Sequence, residues 1–371
     1  MRILVVNAGS SSLKLSVLDD TDNAVAAETV DAPVGRLDPS ALADAISRYA
    51  PIDAVGHRIV HGGTEFTQPV LVDAAVRRRL EALTDLAPLH QPKSLRGLDL
   101  VSRQLPEVPA VACFDTAFHA HIPAAASTYA LPPQWRHRWD LRRFGFHGLS
   151  HAYASRRAAE LLGRDPREMR IVTCHLGAGA SLAAVMGGIS VDTTMGFTPL
   201  EGLVMATRSG SIDPGLLLWL EEHVGMPPSE LATTLEHRSG LLGICGSDDM
   251  RVILQAERDG DHDSALAVGV YLHRLRAGIA AMAAAMDGLD TLVFTGGVGE
   301  HAAAIRSRAA EGLGFLGIAL DLEANGRDGG DREIGAVGAP VRTAVVAARE
   351  DVEIARGVRQ VLSARGGTEP G

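Results

Sequence analysis

The stretch that most constrains how this chain can fold is one that occurs twice. MRILVVNAG opens the sequence, and MRIVTCHLG at residues 169–177 aligns on it without gaps, sharing Met, Arg, Ile and Gly at matching places. Each copy is an apolar strand pattern that runs into small polar residues, then a Ser-Leu step and a second strand pattern. Two strand–turn–strand units so far apart imply an internal duplication and two domains of one fold. The 371 residues agree, since about 150 residues per domain gives between two and three domains.

Residues 2–7 and 13–19 read as the first two strands, with Leu13, Leu15 and Val17 on one face and Lys14 and Ser16 on the other. Further strands fall at 52–60 and 108–114, and helical patterns at 39–50, 73–86, 92–105 and 149–162. The second half adds helices at 214–224, 229–236 and 262–287, and TLVFTGGVGEH (291–301) as strand, glycine turn and helix start. A strand near 341–346 and a helix at 350–363 close the chain. Strands alternating with helices indicate α/β layers.

With 46% hydrophobic and 22% charged residues, the composition is that of a soluble globular protein. A net charge of −10 argues against a general nucleic-acid binder, which needs a basic surface. The longest apolar stretch, around 277–286, is about half of a membrane span, and the N-terminal strand pattern is no secretory signal. Cys113, Cys174 and Cys245 form no CxxC pair and read as reduced thiols, which points to the cytoplasm. Lys14 and Lys93 are the only lysines among 35 cationic residues. Lys14, two residues past the Ser10–Ser12 run, therefore reads either as chance or as a place where a compact ammonium is wanted.

No GxxxxGK[ST] motif occurs, but HLGAGAS (175–181) and TGGVGEH (295–301) both run a strand into glycines whose amides can donate to anionic oxygens. Gly297 to Ala302 also fits a dinucleotide GxGxxA pattern, with Asp321 downstream. That fingerprint normally opens its fold, whereas here it falls near the end of the chain. His57/His61 and His147/His151 form HxxxH pairs, with His119 and His121 nearby. There is no HExxH, and His57 and His61 sit where a strand enters a glycine turn, which argues against a zinc site. Arg58, His61, His90, Asp115, His147 and Arg208 all fall in loops or at strand ends. Cations and imidazoles converging near phosphate loops suit phosphoryl transfer, whose transition state carries charge on the equatorial oxygens.

VVNAGSSSLK, GHRIVHGG, FDTAFH, RRFGFHGLSH, HLGAGAS, DTTMGFTPLEGLVMATRSGSIDPG and FTGGVGEH, in this order, resemble the acetokinase (acetate kinase) family of the sugar kinase, heat-shock protein and actin-like ATPase superfamily. The resemblance implies two duplicated ribonuclease-H-like α/β domains, residues 1–116 with 351–371 and residues 117–350, and an active-site cleft between them. It implies reversible transfer of the ATP γ-phosphoryl group to acetate, giving acetyl phosphate and ADP, with Mg²⁺ or Mn²⁺. It also implies a cytoplasmic homodimer, with phosphate acetyltransferase as its metabolic neighbour and neither nucleic acid nor membrane as partner.

Carried onto this chain, the family pattern makes Asn7 and Glu350 the metal-associated positions and Lys14 a nucleotide-phosphate contact. His175, Leu176, Gly177, Ala178 and Gly179 match one phosphate loop; Gly297, Val298, Gly299, Glu300 and His301 match the other. Asp249, Met250 and Arg251 match the adenosine-side segment. Arg58 and Arg208 would flank the transferring group and the substrate carboxylate, His147 would donate a hydrogen bond to the transition state, and His90 would be a further active-site imidazole. Asp115 matches the family's catalytic aspartate. Acetate is ionised at neutral pH and needs no base, so the role expected of Asp115 is to orient an arginine or a metal-bound water. Val60, Leu89, Phe146 and Pro199 match the pocket for the substrate methyl. The chain departs from the family at Ala178 and His301, where Asn is usual, at Ala348-Arg349-Glu350-Asp351, and in a shorter segment before GHRIVHGG. Two other readings remain: a propionate kinase, differing only in pocket volume, and a nucleotide-binding regulatory protein silenced by those changes.

Overall fold

The computed structural model describes residues 1–8, 12–31, 39–87 and 91–366. The chain forms two units, Met1–Ala120 with Arg349–Gly371, and His121–Ala348. The first holds β1 (Ile3–Ala8), β2 (Ser12–Leu18), β3 (Ala24–Asp31), β4 (Ala54–Ile59), β5 (Val70–Leu71) and β6 (Ala110–Phe114). The second holds β7 (Arg170–Leu176), β8 (Ala180–Met186), β9 (Ile189–Thr193), β10 (Thr291–Thr295), β11 (Arg332–Glu333) and β12 (Arg342–Val345).

Their sheets have one plan. The first runs β3-β2-β1-β4-β6-β5 and the second, read the same way, β9-β8-β7-β10-β12-β11. In each, the first strand pairs antiparallel with the second and parallel with the fourth, and a register shift interrupts the pairing of the second strand with the third. The MRILVVNAG and MRIVTCHLG segments form equivalent strands, β1 and β7, so the duplication extends to whole domains.

Apolar alternation sets the core. On β2, Leu13, Leu15 and Val17 are buried while Lys14 is exposed. They pack with Leu4, Val6, Leu42, Ile46 and Val101 on one side of the first sheet. Helix Glu350–Gly366 covers β4 and approaches it at Gly56, where a Cβ would lie 2.5 Å from Ile354 Cγ2. Only glycine allows that contact. In the second unit, Ile171, Val172, Thr173 and Cys174 of β7 are all buried, as a central strand covered on both faces requires.

Several elements lie outside the sequence expectation. β3 (AVAAETVD) and β9 (ISVDT) are edge strands with too few buried apolar residues to announce themselves. Gly296–His301 is itself a short helix rather than a turn before one. Helices Gly240–Cys245 and Met250–Arg258 lie outside it too, while the helix expected after the glycine turn runs Ala303–Glu311. Asp321, the residue a dinucleotide reading needs for a ribose, instead caps helix Leu322–Gly326 by accepting from Glu323 N and Ala324 N. Among the described residues, no helix is long and apolar enough to cross a membrane.

Candidate active site

In the first unit, three adjacent parallel strands end on polar side chains. Asn7 lies near the end of β1, Arg58 near the end of β4, and Asp115 directly after β6. Pairing of Val6 with His57 and of Arg58 with Cys113 brings the three together. Carboxyl ends of parallel strands are where open α/β sheets bind ligands. Arg58 grips Asp115 with both edges, Nε donating to Oδ1 at 3.0 Å and Nη2 to Oδ2 at 2.6 Å. Arg58 Nη1 donates to Asn7 Oδ1 at 3.0 Å, and Asn7 Nδ2 donates to Glu350 Oε2 at 3.1 Å. Glu350 opens the C-terminal helix, and its carboxylate lies 3.9 Å from Arg58 Nη1.

The Asp115 side chain is only 2% exposed. Burial pushes its carboxyl pKa up, and Arg58 pulls against that rise. Burial also opposes the charge on Arg58, but Asp115 and Glu350 outweigh it and push its pKa up. Both Asp115 oxygens accept from Arg58, a charge-assisted fork that fixes the guanidinium. His57, on the opposite face of β4, is 1% exposed, and its Nε2 has no partner among the described residues. Burial lowers its pKa to about 4. His61 is likewise lowered to about 4 by burial, and its Nδ1 accepts from Gly63 N at 2.9 Å.

The second unit builds a different cluster. His147 has φ 55° and stands just before helix Gly148–Leu161. Its loop is tied down by Arg143, which donates to the carbonyls of Thr193, Thr194 and Met195 and to Glu201. Arg143 belongs to RRFGFHGLSH, but nothing in the sequence marks it as the fastener. His147 Nδ1 lies 2.9 Å from Ser181 Oγ, and its ring stacks on His175 with centroids 4.3 Å apart. Gly179 faces this imidazole so closely that a Cβ there would lie 3.2 Å from Nε2 and 3.5 Å from Arg208 Nη1. Arg208 is in no ion pair among the described residues; its Nη1 donates to Pro199 O at 3.3 Å and meets Met205 Sδ. Burial lowers its pKa, with Glu236 pulling the other way. A desolvated cation without a carboxylate partner invites an anion.

A pocket of about 750 Å³ opens on the other side of the 177–179 loop. It brings together Gly177, Ala178, Asp249, Met250, Arg251, Gly297, Val298 and His301 from the expected nucleotide set. Leu241, Leu254 and Tyr271 complete its apolar wall; no motif marks them, and the helices that carry Leu241 and Leu254 lie outside the sequence expectation. His175, Leu176, Gly179, Gly299 and Glu300 do not line it. Leu176 is buried in β7, His175 Nδ1 meets Ser150 Oγ, and Glu300 accepts from Ala348 N. Asp249 caps helix Met250–Arg258 and pairs with Arg251. Lys14 is exposed on β2, opposite Asn7 in register.

Phe146 and Pro199 are buried in the second unit and Val60 in the first. Leu89 and His90 lie outside the described residues, as does the Gly9-to-Ser11 turn. His151 uses both nitrogens on the hydroxyls of Thr173 and Ser181, and His147 Nδ1 also meets Ser181, so the His147/His151 pair serves hydrogen bonding. Cys113, Cys174 and Cys245 are free thiols.

A divalent ion would find oxygen ligands in the first cluster. Glu350 offers a hard carboxylate of the kind Mg²⁺ takes together with substrate phosphates. Asn7 fits less directly, because its amide oxygen accepts from Arg58 and its nitrogen donates to Glu350. Among the described residues no three His, Cys, Asp or Glu side chains gather into a metal cage.

A profile of the acetokinase family matches residues 37–356. An acetate kinase of Microcystis aeruginosa is 49% identical over 312 residues, covering 84% of this chain and 78% of that one. Another, from a Synechococcus species, is 43% identical and covers 98% of this chain and 99% of its own. Among solved structures, an acetate kinase of Porphyromonas gingivalis superposes with a TM-score of 0.90 at 36% identity, covering 97% of this chain and 99% of that one. A propionate kinase of Francisella tularensis superposes with a TM-score of 0.89 at 35% identity, covering 96% and 98%.

Proposed function

The chain belongs to the acetokinase family, and from that premise we propose that it transfers the γ-phosphoryl group of ATP reversibly to acetate, giving acetyl phosphate and ADP. The observation that carries this reading is the pairing of Arg208, a half-buried cation in no ion pair, with the His147 imidazole across a glycine loop that also walls the 750 Å³ pocket. A nucleotide in that pocket, its base against Leu241, Leu254 and Tyr271, would run its phosphates along Gly177 and Ala178.

In the transfer, an acetate oxygen forms a bond to the γ-phosphorus as the bond from that phosphorus to the β–γ bridging oxygen breaks, and ADP leaves. Two anions must meet, so the catalytic work is positioning and charge neutralisation. Arg58 and Arg208 hold the transferring group and the carboxylate, Lys14 meets nucleotide phosphate, and His147 donates from Nε2 as charge builds on the phosphoryl oxygens. Asp115 keeps Arg58 in place. Glu350, with Asn7 beside it, would hold a divalent ion such as Mg²⁺, which would lower the charge on the nucleotide phosphates. Val60, Phe146 and Pro199 bound the methyl site. The active species is a homodimer, a reading supported by the exposed Leu216, Leu218, Trp219 and Val224 of one short segment.

Trapping acyl phosphate as hydroxamate, with acetate or propionate, ATP and Mg²⁺, tests the activity. Acetate is expected to give the higher kcat/KM. Preference for propionate would move the protein to the neighbouring activity, and no product from either acid would leave the silenced-kinase reading standing.

A further inference from the structure

His147 ends a chain of hydrogen bonds that reaches well into the second unit. Its Nδ1 lies 2.9 Å from Ser181 Oγ, Ser181 Oγ lies 2.8 Å from His151 Nε2, and His151 Nδ1 lies 2.7 Å from Thr173 Oγ1. Ser181, His151 and Thr173 are fully buried. A serine hydroxyl carries one proton, so Ser181 can donate to only one of its two imidazoles and must accept from the other if both contacts are hydrogen bonds.

Two directions are open to the chain when both histidines are neutral. In the first, Thr173 donates to His151 Nδ1, His151 Nε2 donates to Ser181, and Ser181 donates to His147 Nδ1. His147 then carries its proton on Nε2, the nitrogen that faces Gly179 beside Arg208. In the second, every donor reverses, and His147 turns a bare lone pair towards the place where an anion would sit. The two directions differ at the far end. Reversal makes Thr173 an acceptor, and its own proton then needs somewhere to go. Among the described residues Thr173 Oγ1 has no partner besides His151. A buried donor without an acceptor is disfavoured, so the first direction wins.

We propose that Thr173 is a positioning residue that, through His151 and Ser181, fixes His147 in the tautomer whose Nε2 carries the proton. This rests on the reading of His147 as a hydrogen-bond donor to the transferring group.

The test compares the wild type with Thr173→Val, which keeps shape and strand preference but removes the hydroxyl, and with Thr173→Ser, which keeps the hydroxyl. Ser181→Ala is a second way to cut the chain should the valine variant fold poorly. Imidazole ¹⁵N shifts of His147 are expected to report a protonated Nε2 in the wild type and a mixture of tautomers in Thr173→Val and Ser181→Ala. In both of these variants kcat should fall about tenfold, the scale of losing a group that orients a functional side chain, with KM for ATP and acetate little changed. Thr173→Ser should restore the wild-type tautomer and rate. A wild-type proton on Nδ1, or a tautomer unmoved in both chain-cutting variants, would overturn the proposal. A tautomer that moves while kcat does not would support the relay and remove His147 from the transfer step.

Discussion

The two sheets repeat one plan, yet their equivalent strand ends carry opposite chemistry. Asn7 pairs with Lys14 across β1 and β2, and Arg58 stands on the neighbouring β4. The matching positions of the second unit are His175 opposite Ser181 across β7 and β8, with Thr295 on the neighbouring β10. The first set holds two cations and an amide, with Arg58 and Asn7 tied to carboxylates; the second is imidazole and hydroxyl, with glycine loops beyond it. Arg58 is locked by Asp115, Asn7 and Glu350, whereas Arg208 touches a carbonyl and a thioether. A duplicated fold therefore supplies the same places twice, and side chains decide what each place does. One end holds a pre-oriented cation, and the other leaves a cation ready for an anionic ligand.

The sharpest way to break this contrast is to remove each arginine. Arg58→Ala and Arg208→Ala are each expected to lower kcat by about 10²–10³, the loss typical of one oriented group at a transition state. Their stabilities should part. Arg58→Ala leaves the 2%-exposed Asp115 carboxylate without its partner, and breaking a buried pair in this way costs about 3–5 kcal/mol. Arg208→Ala strands no carboxylate, so its Tm should stay near that of the wild type. Equal losses of Tm would show that the two arginines are held alike.

Acid should destabilise the first unit through its buried histidines. His57 is buried and neutral with a pKa lowered to about 4, while the unfolded chain takes up that proton near the ordinary value of 6.5. Between those values the unfolded state binds more protons, so the stability is present above pH 6.5 and is lost as pH falls towards 4. The full window is worth about 3 kcal/mol. Denaturant titrations from pH 7 to 4 should show this slope, and His57→Leu should cut it to about half of the combined effect, because burial lowers His61 to about 4 as well. An unchanged slope in the variant would assign the acid sensitivity elsewhere.

Smaller effects test the substrate ends. If Val60 bounds the methyl site, Val60→Ala should shift the kcat/KM ratio about tenfold towards propionate, within the ~1–3 kcal/mol that one methylene is worth. Identical ratios would take Val60 out of the pocket. Ala178 is exposed at the pocket wall, and its carbonyl accepts from Ala206 N at 3.1 Å, a backbone contact that a new side chain leaves in place. Ala178→Asn should lower KM for ATP several-fold with kcat unchanged, as one added neutral hydrogen bond of about 0.5–1.5 kcal/mol would. A change in kcat instead would place Ala178 at the reacting group.

The sequence by itself determined what neighbours along the chain can specify. Alternation marked β2 and apolar runs marked β1, β7 and β8, the repeated nine-residue segment announced the duplication, and the glycine loops and the helix beginning at Glu350 could be located by inspection. The ordered motifs also named most of the residues that the two clusters contain. It did not disclose β3 or β9, whose pairing depends on partners rather than on their own composition. Nor did it assign bonds. Arg58 meets Asp115 across 57 residues and Asn7 meets Glu350 across 343, distances that sheet order closes and local pattern cannot. Only the tertiary structure brought both Asp115 oxygens onto Arg58, made Asp321 a helix cap, and gathered Leu241, Leu254 and Tyr271 into a pocket wall. The reason is physical: propensity and periodicity act over a few residues, whereas hydrogen-bond direction and desolvation are set by whatever the fold brings into contact.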